Sequence, residues 1–402
     1  MLDTSANESA TPRCAYFGRC GGCQLQQLAY VQQVERKREA LLRAFAGAGI
    51  ALDLPIALHT AEPWGYRNRI RLRVLRHSDR YALGYNANAG DPLPVTECPI
   101  AAPMLWRVAE AVLQSAAETA VAAWLSAASE LELFMNHDGT QVQVTLLCAP
   151  RTRLSQASFE AALQAWQQHT PAGIRMVGAG AIAADVRTGP TGRVLASAGA
   201  AGLSYRVGDE SFWISRGGFF QVNQFLLDAF AALVADKTQT LAGAALAWDL
   251  FAGVGLFTRS LTRLFAQVIA VEASPVSSAD NRTWLAKQNA MRAKQRSVGA
   301  HTAMHASVTA TTLEFLARAV LERERPELVV LDPPRAGAGE DACRLLLKIA
   351  PQRIVYVSCD PTTLARDLAV LCQGYRVDSV DLFDLFPQTS HVETVVVLER
   401  QP

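Results

Sequence analysis

Beyond residue 217 the chain alternates short apolar runs with amphipathic stretches, and this alternation constrains the fold more than any other feature of the sequence. Strands are expected at 246–251, 268–272, 327–332, 354–358, 377–382 and 392–399, with helical segments between them. Repeats of this kind build a mostly parallel sheet covered on both faces by helices. Ligands of such sheets bind at the carboxyl ends of the strands, so residues at those ends are the first candidates for chemistry.

Upstream of this segment the pattern is different. The first 50 residues hold a glycine-cysteine knot, RCGGCQ, followed by an expected helix over 25–45. Residues 101–215 read as α+β, with helices near 105–127 and 156–168 and strands such as QVQVTLLCA. A length of 402 residues suits two or three domains. We expect a cysteine knot and arginine-rich strand region over 1–100, a central α+β domain over 101–215 that forms one unit with 60–100, and the doubly wound domain over 216–402.

The formal net charge of +1 hides a segregation. Between residues 11 and 80 there are twelve basic residues against Glu35, Glu39, Asp53, Glu62 and Asp79. Within YRNRIRLRVLR the alternation puts Arg67, Arg69, Arg71 and Arg73 on one face of a strand, with no alternating acids in the run itself. A solvated face is one reading; a phosphate-contacting surface is the other. No apolar run approaches the roughly 18 residues needed to span a bilayer, and the start lacks the apolar core of a signal peptide. A cytoplasmic protein without membrane contact is expected. Eight cysteines then read as thiols or metal ligands rather than as a disulfide framework. Cys148, Cys343 and Cys372 are read as packing residues.

Three strand ends carry chemistry. ALAWDLFAGVGLFTRSL runs from a strand through Asp249 into a turn with Gly253 and Gly255, where missing side chains let a ligand approach the backbone. The turn is not GxGxxG, so a dinucleotide is disfavoured. Glu272 ends the following strand, where an acid can accept both hydroxyls of a ribose. This pairing resembles the S-adenosylmethionine site of class I methyltransferases. At the same edge lie VVLDPPRAG, with Asp332, and VYVSCDP, with Cys359. A final strand running antiparallel would start at that edge and set Glu393, of HVETVVVLER, opposite Cys359. Free cysteines are usually packing residues, but a thiol beside a methyl donor and facing a carboxylate fits methylation of a pyrimidine at C5. That carbon becomes nucleophilic only after a thiolate adds at C6, and a base must then remove the C5 proton. An ordinary thiol is a few per cent ionised at neutral pH, so a cation is needed, and Arg335 of DPPR is a candidate.

Taken together, GRCGGCQLQ, GFFQVN, DLFAGVG, DPPR, SCDP and HVETVVVL resemble the uracil-C5 RNA methyltransferase family. The resemblance implies an α/β protein with a C-terminal Rossmann-like class I methyltransferase domain, an N-terminal iron–sulfur region and a central α+β RNA-binding domain. It implies Cys359 as nucleophile and Glu393 as base, with Gln221, Phe251, Glu272 and Asp332, besides Asp249 and Gly253, at S-adenosylmethionine. The family's ribosomal members hold a 4Fe-4S cluster on four cysteines, and Cys14, Cys20, Cys23 and Cys98 fit that arrangement; zinc is the rival ligand of four thiolates. The cysteines favour 23S ribosomal RNA over transfer RNA as partner, with the target base flipped from its stack and the protein acting as a monomer. With 13 residues before Cys14, the short branch without an N-terminal β-barrel is expected. The segment 297–308 lacks the acid the family places near adenine. The rivals are an amino-group methyltransferase, which needs no thiol, and an RNA-binding module with a vestigial cofactor domain.

Overall fold

The computed structural model describes residues 9–77, 80–185, 189–294 and 304–401. Its larger sheet has eight strands in the order Ile56–His59, Tyr375–Phe383, Glu393–Arg400, Arg353–Ser358, Leu328–Leu331, Leu246–Leu250, Gln267–Glu272, Ala306–Thr309. Glu393–Arg400 runs antiparallel to both its neighbours, and every other pairing is parallel. The central strands are apolar throughout because helices cover both faces, as in Leu328–Leu331, where all residues are buried. Trp248, Val329, Ile354 and Val396 pack beneath the helices Glu340–Ile349 and Pro361–Leu371. The opposite face buries Ala247, Val268, Val330 and Val355 against the helices Leu227–Thr238 and Thr258–Leu264.

The second sheet has seven strands in the order Pro92–Pro94, Arg80–Asn86, Arg69–His77, Ala128–Met135, Gln141–Cys148, Arg175–Asp185, Gly189–Gly199. Its helices Pro103–Gln114, Thr119–Ala127 and Gln156–His169 close one core around Trp124, Phe159 and Trp166.

Two expectations are corrected here. The region 1–100 is not one unit: the helix Tyr30–Gly47 and the segment after it place Leu41, Phe45 and Ile50 in the core of the eight-stranded sheet, and Ile56–His59 joins that sheet's edge. Residues 202–215 likewise leave the central domain, forming a hairpin whose Leu203, Tyr205, Phe212 and Ile214 pack with Phe230 and Phe257. In both cases the apolar faces are longer than their own neighbourhood can cover, and the larger sheet covers them.

The arginine strand finds acidic partners outside its own run. In the register of Arg69–His77 with Ala128–Met135, Arg71 stands opposite Glu132 and Arg73 opposite Glu130. Arg71 Nη2 lies 2.8 Å from Glu132, and Arg73 Nη1 lies 3.7 Å from Glu130. Arg69 stacks 4.0 Å over the Phe134 ring and donates to the Gly218 carbonyl at 2.7 Å. The acids absent from the run itself are supplied across the ladder, which is where strand side chains find their partners.

Candidate active site

The turn after Leu246–Leu250 is built on backbone conformations with positive φ at Phe251 (61°), Gly253 (56°) and Gly255 (90°). Glycine is required at 255, since a Cβ there would lie 2.5 Å from Asn281 Oδ1. Asn281 Nδ2 donates to Thr258 Oγ1 (3.2 Å), and Thr258 Oγ1 donates to Asp249 Oδ2 (2.5 Å). Asp249 is fully buried, and its Oδ1 has no hydrogen-bond partner among the described residues. Burial pushes its carboxyl up to about 7; Thr258 opposes the rise and Glu272 adds to it. Glu272 accepts the Gly253 N–H at 2.8 Å and the Ser274 N–H at 2.6 Å, so each oxygen already orders the turn. Asp332 directly follows Leu328–Leu331, and burial, then Asp249 and Glu272, push its carboxyl up to about 7.

Cys359 stands at the junction of Arg353–Ser358 and the helix Pro361–Leu371. Asp360 caps that helix, accepting the Thr362 and Thr363 N–H groups on Oδ1 at 2.9 and 3.0 Å. The strand therefore stops at Ser358, and the thiol is held at the open edge of the sheet. Ser358 pairs with Thr394 in the antiparallel ladder, which brings the neighbouring Glu393 to the level of Cys359. Burial, then the charges of Glu393 and Asp332, push the thiol up to about 12, while Arg335 opposes the rise. Glu393 is buried, and burial and Asp332 raise its carboxyl well above the ordinary range.

Arg335 is held from two sides. Thr363 Oγ1 donates to its carbonyl (3.0 Å), and its Nη2 donates to His391 Nε2 (2.9 Å). Burial and then Arg335 push His391 down to about 4, so its ring is neutral and able to accept. Gln221 is buried, with its carbonyl accepting from Asn68 Nδ2 at 3.3 Å. The structure thus brings Asp249, Phe251, Gly253, Glu272, Asp332, Cys359 and Glu393 to one sheet edge, an acidic site suited to a cationic ligand. Thr258, Asn281 and His391 were not singled out from sequence. Asp249, nine residues before Thr258, hints at the first two only after the turn is seen, and His391 has no local signal beyond standing two residues before Glu393. Within 297–308, residues 297–303 lie outside the described residues; Ala306–Thr309 forms the sheet's edge strand.

Cys14, Cys20, Cys23 and Cys98 line one cavity of about 250 Å³ together with Arg67 and Tyr85. Burial pushes the Cys23 thiol up to about 12, with Cys98, Cys20 and Cys14 adding to the rise. Among the described residues, no three Cys, His, Asp or Glu side chains stand close enough together to form a preformed metal site. The donor set is soft, and it lines a cavity with room for a group larger than one ion.

Residues 29–401 match the family model for tRNA (uracil-5-)-methyltransferase. The chain belongs to this family of RNA uracil-C5 methyltransferases. It is accordingly an S-adenosylmethionine-dependent RNA uracil-C5 methyltransferase with a Rossmann-like α/β cofactor domain. Among its relatives, a 23S rRNA (uracil(1939)-C(5))-methyltransferase RlmD of Chromohalobacter salexigens is 32% identical over 98% of this chain and 77% of the relative. An uncharacterized RNA methyltransferase of Bacillus cereus is 29% identical over 96% of this chain and 83% of its own length. The crystal structure of Pyrococcus abyssi tRNA (uracil-54, C5)-methyltransferase with S-adenosyl-L-homocysteine shares the fold, with a TM-score of 0.68 and 22% identity over 94% of this chain and 86% of that one.

Proposed function

We propose that this uracil-C5 methyltransferase forms 5-methyluridine in 23S ribosomal RNA through a covalent Cys359 adduct, working as a cytoplasmic monomer. The observation that carries the mechanism is the antiparallel register that sets Glu393 level with Cys359 at the cofactor edge. The Cys359 thiol gives its proton to solvent and the thiolate adds to C6 of a flipped-out uracil. The displaced C5=C6 pair becomes an enolate, and C5 takes the methyl group from the sulfonium as its bonding pair stays on sulfur. Glu393 removes the C5 proton, the C–H pair re-forms C5=C6, and the C6–S pair leaves with Cys359.

Burial, and then Glu393 and Asp332 against the opposing Arg335, disfavour the Cys359 thiolate. A sulfonium bound beside these acids would offset their part of the rise, so cofactor binding is proposed to precede attack. Asp249, Phe251, Gly253, Glu272, Asp332 and Gln221 are proposed to hold the cofactor, and Asp249 Oδ1 has no other partner among the described residues.

Ribosomal RNA is favoured by the RlmD relative and by the four thiols around one cavity. Transfer RNA is the second reading, favoured by the name of the matching family. Cys14, Cys20, Cys23 and Cys98 would hold a 4Fe-4S cluster, which when bound supplies a structural cross-link rather than redox chemistry; zinc remains the alternative occupant. The cysteine-bearing segment already pairs with the start of the seven-stranded sheet through the Cys20 to Ala87 bridge. Iron and acid-labile sulfide assay of anaerobically purified protein tests the cluster. Mass-spectrometric mapping of ribosomal and transfer RNA from a strain lacking the gene tests the substrate: loss of one methyl group from 23S RNA is expected, and loss from transfer RNA alone overturns the ribosomal reading.

A further inference from the structure

Among the described residues, the non-glycine positions in the left-handed region are Phe251, Arg323, Ala350 and Gln388. Arg323 and Ala350 are C-caps of the helices Thr312–Glu322 and Glu340–Ile349, an ordinary place for that conformation. Phe251 lies in the cofactor turn. Gln388, at φ 69°, caps nothing, and a strained residue of this kind persists only where its surroundings over-determine it.

Those surroundings are all from the N-terminal part of the chain. Gln388 is buried, and its carbonyl accepts both the Gln24 and Leu25 N–H groups at 3.0 Å. Its own N–H donates to Gln33 Oε1 (3.0 Å), and Gln33 Nε2 returns a bond to Gln388 Oε1 (3.0 Å). The rest of the loop is tied in the same way: Lys37 Nζ donates to Asp384 (2.6 Å) and to the Phe386 carbonyl (3.0 Å), and Tyr66 Oη donates to the Pro387 carbonyl (3.1 Å). The loop then leads through His391 into Glu393, the first residue of its strand. Glu393 pairs with Phe383 at the very end of the ladder, and on its other side the chain reaches it from this loop through His391 and the buried Val392.

We propose that Gln388 is a positioning residue for Glu393, its reciprocal amide pair with Gln33 locking the loop that aims the carboxylate at the C5 proton. The inference rests on the covalent reading above. Proton removal demands hydrogen-bond reach, and a misplacement of about 1 Å costs on the order of 10²-fold. Attack by Cys359 and methyl transfer do not use Glu393, so the two halves of the reaction should respond differently.

The test compares RNA carrying 5-fluorouridine, in which no C5 proton can be removed and the adduct is trapped, with ordinary uridine RNA. In Gln388→Ala, adduct formation on fluorinated RNA should stay within about threefold of the native rate, while turnover on uridine RNA falls about tenfold or more. A denaturation-stable protein–RNA species should then accumulate on uridine RNA. Gln388→Asn, which tolerates the left-handed backbone and keeps an amide, should recover part of the turnover. Gln33→Ala, which leaves residue 388 itself unchanged and removes both of its bonds to Gln33, should show the same split and answers the question if Gln388→Ala does not fold. Equal loss in both reactions, or no loss in either, overturns the proposal while leaving the covalent reading standing. Absence of any adduct with the native enzyme overturns both.

Discussion

The molecule carries two concentrations of charge, and they are resolved in opposite ways. On Arg69–His77 the cations are met: Arg71 and Arg73 by Glu132 and Glu130 across the ladder, Arg69 by the Phe134 ring and the Gly218 carbonyl. At the edge of the eight-stranded sheet the acids are left facing one another. Burial, with Glu272 adding to it, raises the Asp249 carboxyl; burial, then Asp249 and Glu272, raise that of Asp332; and Glu393 and Asp332 both add to the burial that disfavours a Cys359 thiolate. Charge that the fold neutralises for itself is architecture; charge that it leaves opposed waits for a ligand. A methyl sulfonium is the neutralising partner the second region lacks.

The harshest way to break this contrast is to remove the groups that the acidic edge serves. Cys359→Ala should reduce methyl transfer to background and abolish the 5-fluorouridine adduct, as read by gel shift under denaturing conditions. Glu393→Gln should lower turnover by about 10²–10⁴-fold while still forming the adduct. Retained turnover in Cys359→Ala would favour an amino-group chemistry and remove the reason for the buried acid opposite it. A smaller but still large effect is expected at the turn. Gly255→Ala would place a methyl group 2.5 Å from Asn281 Oδ1 at a φ of 90°, and cofactor affinity by calorimetry should fall about 10²-fold with the fold retained.

The acidic edge was legible in the sequence because parallel strands bring their carboxyl ends together whatever the rest of the chain does. Asp249, Glu272, Asp332 and Cys359 each end a strand, and one antiparallel strand was enough to place Glu393 among them. The partners of the arginine strand could not be read because the identity of an antiparallel neighbour is set by the fold: the acids that face Arg71 and Arg73 lie some sixty residues downstream. The same reason hid Gln388 and His391. Their partners, Gln33 and Arg335, are close in space through packing that no local pattern announces. Ile56–His59 was missed as a strand of the large sheet because its four residues carry no alternation long enough to read.

A moderate effect should follow from pH. Asp249 has an ordinary value of 3.8 and is pushed up to about 7 in the fold. Below 3.8 the group is protonated in both folded and unfolded chains and has no effect. Between 3.8 and 7 the unfolded chain ionises first, so the folded state binds the extra proton and its stability falls as pH rises, by an amount on the order of a few kcal/mol at most. Asp332 acts in the same direction over the same window. A cationic cofactor favours the ionised acids, so its binding should release protons and tighten by about tenfold between pH 5.5 and 8. Asp249→Asn should flatten that profile. Equal affinity at both pH values would mean that the edge is internally compensated, like the arginine strand.

The smallest effect is expected where the charges are already paired, and it is the one that best sharpens the comparison. Arg71→Ala removes the partner of Glu132, a buried carboxylate, while Arg71 itself is about half exposed. The substitution should cost about 1–2 kcal/mol in denaturant unfolding, more than a surface pair and less than a fully buried one. If the guanidinium is committed to Glu132, RNA affinity at fixed salt should change by less than about threefold and the slope of log K against log salt by less than the roughly 0.7 expected for one lost contact to a single strand. Glu132→Gln supplies the converse, since it frees Arg71 without deleting it: if the strand is architectural, RNA binding should stay level or tighten slightly and stability should fall. A full unit of lost salt slope in Arg71→Ala would show that the cation serves phosphate as well as Glu132, and the division between self-neutralised and ligand-directed charge would then fail on its own strand.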